Sequence, residues 1–290
     1  HICEFMSDGT GHIWQFDNDD GEYEGGLDVF TYVHNADGTY TVTEYDGEYT
    51  YTMTVTSVTA TKLYISDPDE GAIVLTRVSG YTYASSGTID GHEYINLGLP
   101  SGTLWATMNV GATTETDYGD YFAWGETEGY NSGKTNFSWS TYKWCQGSDD
   151  TMTKYCTSSV YGTVDGISEL QPSDDAATAN WGSDWQMPSN EQCEELINSS
   201  YTTTEWVTIN GMNGRKITSK SNGNSIFLPA AGSRSTTLLS SVGSYGGYRS
   251  RSLSTSNSSY GRYIYFNSSN ISSSSSSRCL GQGVRPVVKK

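Results

Sequence analysis

Apolar and polar positions follow different rhythms in the two parts of the chain. From residue 1 to about 80 they alternate with the two-residue period of strands. Thr39-Tyr40-Thr41-Val42-Thr43, Tyr49-Thr50-Tyr51-Thr52-Met53-Thr54-Val55 and Lys62-Leu63-Tyr64-Ile65-Ser66 are Thr- and Tyr-rich runs, and Ala72–Val78 is more continuously apolar. Asn35-Ala36-Asp37-Gly38, Asp46-Gly47 and Asp67–Gly71 between them supply turn chemistry. Short strands at close spacing predict a small all-β domain over 1–80, a meander or small barrel. Residues 81–90 are Gly-, Ser- and Tyr-rich without apolar period, which predicts a linker.

The pattern over 91–290 is mixed and predicts an α+β domain. His92–Leu97 and Leu104–Val110 are strand-like, and Asp120–Gly125 and Ser138–Trp144 add large aromatics. Two helices are expected. One starts near Asp174-Asp175, with acids at its positive end. The other starts at Ser189, where Ser189 and Gln192 have the spacing of a capping box ahead of Leu196-Ile197. Trp181 and Trp185 lie between them and are expected to anchor the core. Arg215–Thr218 and Ser225–Leu228 read as a hairpin.

The rhythm changes again at Ser233–Leu280. This stretch lies between Phe227–Gly232 and Gly281–Val287, and it threads Ser, Tyr, Arg, Gly, Asn and Thr through a few apolar residues, with six consecutive serines at Ser272–Ser277. So much serine suggests a low-complexity tail. Against that, Tyr263-Ile264-Tyr265-Phe266 is a compact strand signal, and the tyrosines at 245, 248, 260, 263 and 265 are more than a solvated linker needs. Tyr with Ser, Gly and Asn is the composition of antibody-type surfaces: rigid contact area from Tyr, adaptable polar contacts from the small residues. The expected ligand face comprises Ser233, Ser235, Ser240, Ser241, Tyr245, Gly247, Arg249, Arg251, Tyr260, Arg262, Tyr263, Tyr265, Ser272, Ser274, Ser276, Arg278, Cys279 and Leu280.

Charge narrows the partners. The net charge is −17 and unevenly placed: residues 1–90 hold 16 Asp and Glu against 2 Lys and Arg, and no acid follows residue 220. An acidic body disfavours nucleic acid, whose binding rests on clustered Lys and Arg. The five cysteines form no Cys-x-x-Cys pair, and the four histidines add no ligand-spaced cluster, so neither metal nor cofactor is expected. Cys145 and Cys156 are close enough in sequence to bridge, with two free thiols the alternative. Asp17–Glu22 is acidic but lacks the spacing of a calcium loop. No apolar run is long enough to span a bilayer. Beginning at His1 without a leader, the chain is expected to have lost a signal segment.

Several motifs agree in order over about 200 residues of the second part: "DGHEYINLGLPSGTLWATMNVGA", "DYGDYFAWGETE", "YKWC", "MTKYC", "WGSDWQMPSNEQCEELI", "NGNSIFLPAAG" and "GVRPV". They resemble the Fibrobacter major paralogous domain family of Bacteroidetes surface proteins, a branch of the C-type lectin fold. The preceding β-rich part resembles the lipocalin-like domains of secreted gut Bacteroidetes proteins. The first resemblance implies that the strand at His92–Leu97 pairs with Gly283–Val288. It further implies kinship with the variable proteins of diversity-generating retroelements, in which adenines of AAY codons near the gene's end are randomised. Such codons never yield Trp, Met, Lys, Glu or Gln, and none of these occurs from Gly232 to Gly281. Where family members usually read Tyr-Trp-Ser-Ser-Ser, this chain has Tyr248-Arg249-Ser250-Arg251-Ser252 and lacks the tryptophan anchor.

The same fold supports formylglycine-generating oxidases, but the residues do not favour an enzyme. Cys279 falls in the variable-looking segment and Cys193 on a helix, no Ser/His/Asp set is discernible, and adjacent carboxylates diverge on a helix. No Glu-Pro-Asn or Trp-Asn-Asp set supports calcium-dependent sugar binding. The expectation is therefore a non-enzymatic receptor or adhesin, extracellular or at the cell surface, without membrane span and with a lipid or partner anchor for the full-length protein. Its ligand is a protein or glycan on another cell or phage, bound through a face diversified over 233–280. A fixed structural or adhesive module is the alternative.

Overall fold

The computed structural model describes residues 86–289 in full and, before them, the backbone of the strands alone. The chain divides into two compact units, His1–Tyr81 and Thr82–Lys290.

The first unit is a sheet of β1 (Ile2–Phe5), β2 (Thr10–Asp17), β3 (Glu24–His34), β4 (Thr39–Glu44), β5 (Thr50–Val58), β6 (Lys62–Asp67) and β7 (Gly71–Thr76). The strands pair antiparallel in sequence order, and no pairing among the described residues joins β1 to β7, so the topology is an open meander. β4 to β7 follow the predicted runs within a few residues; β1, β2 and β3 carry weaker alternation and were not predicted. The acidic Asn18–Glu22 stretch lies outside the described residues, as does the side chain of Cys3.

The second unit begins with β8 (Ser86–Ile89), inside the stretch expected to be a linker. Its pairing with β9 (His92–Asn96) across a turn in which Asp90 and Gly91 have positive φ makes it an edge strand. β10 (Leu104–Ala106) follows β9, and then come the long aromatic loops over 107–171. α1 (Ala176–Trp181) is capped by Asp175, whose side chain accepts from the amides of Ala177 and Thr178. After β11 (Trp185–Gln186), α2 (Asn190–Leu196) starts with the reciprocal Ser189–Gln192 capping box. β12 (Thr202–Ile209), β13 (Met212–Ser219) and β14 (Ser225–Pro229) form a meander that contains the predicted hairpin. β15 (Ser233–Ser235) and β16 (Leu238–Ser240) are a short hairpin. β17 (Tyr245–Leu253), β18 (Tyr260–Asn267) and β19 (Ile271–Ser277) make a sheet in that order, and β20 (Val287–Val288) closes the chain.

The terminal pairing differs from expectation. β20 pairs with β10 and β11, so β10 stands between the last strand and β9. Both ends of the unit still enter one sheet, ordered β11-β20-β10-β9-β8. The unit is α+β, dominated by sheet with two short helices. One core cluster gathers Trp124, Tyr155, Trp181 and Trp185, and another gathers Trp105, Leu196, Tyr248, Ile264 and Phe266. A third, with Tyr121, Phe137, Tyr142 and Cys279, lies under the aromatic loops. Cys145, Cys156, Cys193 and Cys279 are free thiols, which settles the alternative left open for Cys145 and Cys156.

Candidate functional site

The segment 233–280 is one β-hairpin followed by one three-stranded sheet, and side-chain alternation along the strands decides what each residue does. The centre is β18. Gly247 of β17 stands opposite Tyr265, Arg249 opposite Tyr263, and on the other side Ser272 faces Tyr265 and Ser274 faces Tyr263. These odd-numbered positions of β17 and β18 share one face. Ile264 and Phe266 point the opposite way into the core, with Phe266 stacked on Tyr248 at 5.8 Å between ring centroids.

The six serines are not a tail. Ser272–Ser277 form most of β19, half-buried throughout and paired residue by residue with β18. Serine is a weak strand former, so this strand is imposed by its neighbour. Alternation splits the serines: Ser272, Ser274 and Ser276 lie on the tyrosine face, whereas Ser273 and Ser275 turn toward α2. There the Arg262 guanidinium donates to Ser273 Oγ (3.0 Å), Ser275 Oγ (3.4 Å) and Asn190 Oδ1 (2.7 Å), and pairs with Glu194 Oε1 at 3.0 Å. Arg262 therefore ties the sheet to the helix and does not join Tyr263 and Tyr265. Arg251 likewise sits by Glu169, its Nε 3.4 Å from Oε2.

Four expected ligand contacts are buried instead. Arg249 and Arg278 are fully inaccessible. Arg249 donates to the carbonyls of Ser277 (2.7 Å), Leu280 (2.8 Å) and Ser276 (3.4 Å). Burial lowers its pKa to about 10, leaving it charged at neutral pH. Arg278 donates to the carbonyls of Tyr155, Ser258 and Lys154 and to the Tyr142 hydroxyl, with Trp124 stacked 4.7 Å away. Gly247 is buried beneath Tyr245, whose hydroxyl would meet an added Cβ at 2.8 Å. Cys279 packs in the third core cluster, and burial pushes its thiol pKa up to about 11, far from the thiolate a nucleophile needs. Sequence marks such residues as polar and small. It does not show that Leu280–Gly283 returns across β17 and covers them: Arg249 N bonds to Gly283 O at 2.9 Å, and Gly283 N to Gly247 O at 3.0 Å.

Apart from the exposed turns at 255–256 and 268–270, two kinds of surface remain accessible. The first is the half-buried odd face. Tyr245 and Tyr265 have ring centroids 5.5 Å apart, Gln282 Nε2 donates to the Tyr245 hydroxyl at 3.2 Å, and Asn267 Nδ2 donates to the Tyr265 hydroxyl at 2.6 Å. Burial, followed by the neighbouring Tyr263, raises the Tyr245 pKa, so the Tyr245 phenol is neutral at pH 7. The second is the β15–β16 hairpin with the turn that leaves it. Ser235, Ser240 and Ser241 are exposed and Ser233 is half-buried; Leu238, Leu239 and Val242, which sequence reasoning did not select, are exposed beside them. Tyr260 is exposed at the start of β18 and Leu280 half-buried after β19. The one signal for the missed leucines was their position in a serine-rich stretch.

The hairpin also carries unusual backbone. Ser235 pairs with Leu238 across Thr236-Thr237, and Thr236 has φ +53, while Ser241 has φ +60. A β-branched residue there is an outlier, in a place that favours Gly or Asn. Elsewhere among the described residues of the unit the non-glycine residues with positive φ are Asp90, Asn210 and Tyr155.

Among the described residues no group of His, Cys, Asp and Glu is arranged to hold a metal ion, and no helix is long and apolar enough to cross a membrane. No protein-family model, curated protein or solved structure matches the chain.

Proposed function

We propose that this chain is a secreted or surface-displayed receptor whose second unit has a C-type lectin-like fold and binds a protein or glycan through a face diversified over 233–280. The observation that carries this reading is the fit between codon chemistry and exposure. The segment lacks every residue an AAY codon cannot reach, and it supplies both an open hairpin and a tyrosine–serine sheet face. The strained positions add support: Thr236 and Ser241 stand where Asn would be tolerated, and Thr and Ser are each one adenine change from an Asn codon. Tyr245, Tyr263 and Tyr265 would supply rigid contact area, with Ser272, Ser274 and Ser276 as adaptable rim. Binding fits this surface better than catalysis, since its thiol is buried and no base or metal ligand set accompanies it among the described residues.

Deep sequencing of the gene across its source population tests the reading. The expected result is variation concentrated at Ser235–Ser241, Tyr245, Tyr263, Tyr265 and the outward serines, with Arg249, Arg278, Gly246 and Gly261 fixed. An invariant segment, or changes spread evenly along the gene, would overturn diversification and leave a fixed adhesive module.

A further inference from the structure

The second unit has a recess that 233–280 does not touch. A cleft of about 430 Å3, within the range of roughly 300–1,000 Å3 usual for ligand pockets, lies between β9, α1 and the loops over 110–132. Its aromatic element is His92 stacked on Trp181, with ring centroids 3.8 Å apart and planes 4° from parallel. Burial, opposed by Asp90, lowers the His92 pKa, so the ring is uncharged at neutral pH.

The polar groups around it are fixed or free in a telling way. Asp120, 5% exposed, is anchored through Oδ1, which accepts the backbone amides of Tyr121 (2.7 Å) and Asn131 (2.9 Å). Its Oδ2 takes no hydrogen bond from the described residues. Asn180 spends its Nδ2 on the carbonyls of Ala176 (2.8 Å) and Thr127 (3.1 Å), which orients the amide and leaves Oδ1 as an acceptor. The exposed Asn131 side chain makes no hydrogen bond to the described residues and offers both a donor and an acceptor.

This inventory narrows the ligand. No Lys or Arg lines the cleft among the described residues, so an anionic ligand has no counter-charge there. Asp120 alone makes a poor metal site. An amine would satisfy Asp120 but leave the Asn131 donor unused. A compact neutral molecule with several hydroxyls and one apolar C–H face uses all of it: hydroxyls donate to Asp120 and Asn180, exchange hydrogen bonds with Asn131, and the C–H face meets the aromatic pair. We propose that this cleft is a second binding site, for a neutral hexopyranose unit, independent of whether 233–280 is diversified.

The test is titration of the full 290-residue chain, ¹⁵N-labelled, with methyl α-D-mannopyranoside, methyl β-D-galactopyranoside and methyl β-D-glucopyranoside, following the Trp181 indole N–H resonance. The expected result is a saturable shift with at least one glycoside. Asp120→Asn, which keeps the shape and an oxygen for the two amides, should weaken it about tenfold. Asn131→Ala, at an exposed side chain that supports nothing else, should weaken it by a similar factor with unchanged urea unfolding. Silence across all three glycosides would overturn the proposal. So would equal affinity in both variants, or a saturable shift with ethylammonium chloride and none with the sugars.

Discussion

The β15–β16 hairpin and strand β17 stand a few residues apart, share Ser, Arg and Leu, and have opposite fates. Ser235 to Ser241 is exposed throughout, with Leu238 66% accessible. Gly246 to Ser250 is buried throughout, Arg249 completely. Hydrophobicity does not explain it, since the adjacent leucines Leu238 and Leu239 are exposed and Arg249 is buried; pairing does. β17 has β18 on one edge and the returning Gly283 on the other, whereas the hairpin bonds outward only through Ser233–Thr236, to Phe137 and Gly281. Polar residues can be the most deeply held part of a segment that reads as surface, provided their donors find carbonyls.

The comparison breaks most directly at Arg278. Arg278→Ala would orphan the carbonyls of Lys154, Tyr155 and Ser258 and open a cavity, so about 3–5 kcal/mol of stability should be lost in urea unfolding. A loss comparable with that of a surface arginine would show that the buried half of the segment is not its frame.

Asp174→Asn probes the wall that holds Arg278. The Asp174 carboxylate bonds to Lys154 Nζ and to the Tyr155 hydroxyl, each at 2.6 Å. Despite desolvation, those partners hold its pKa below the usual carboxylate value. Its stabilisation is thus complete above the unfolded pKa and fades as pH falls through the folded one. The variant should be about 2 kcal/mol less stable at neutral pH. The gap to wild type should close as pH falls below about 4, and a gap constant with pH would contradict this.

The hairpin should respond in the other direction or not at all. Thr236→Gly relieves the positive φ and should raise stability by about 0.5–1 kcal/mol, net of glycine's entropy. Smallest of all, Leu238→Ser with Leu239→Ser should leave the unfolding midpoint within about 0.5 kcal/mol of wild type. A marked loss from that double variant would place the leucines in a core.

Much of the scaffold was legible from local chemistry. The Ser189–Gln192 box, the Asp175 cap, the core tryptophans and the strand at Tyr263–Phe266 each announce themselves through a residue type with a narrow use. The illegible part depends on partners distant in sequence. β19 exists because β18 templates it, β8 because Ile89 meets His92, and the burial of Arg249 and Arg278 because other loops bring carbonyls to them. A period of two says that Tyr263, Tyr265 and Arg249 share a face. It does not say which end of that face the chain will cover.

The buried guanidiniums of Arg249 and Arg278 bond mostly to main chain: Arg249 holds Ser276, Ser277 and Leu280, and Arg278 holds Lys154, Tyr155 and Ser258. A carbonyl is the same group whatever side chain accompanies it. The clamp is therefore indifferent to the identity of the positions it fixes, much as a bookbinding holds pages without regard to the text. Residues at the gripped positions with outward side chains are free to be rewritten, while the sheet that displays them stays in register.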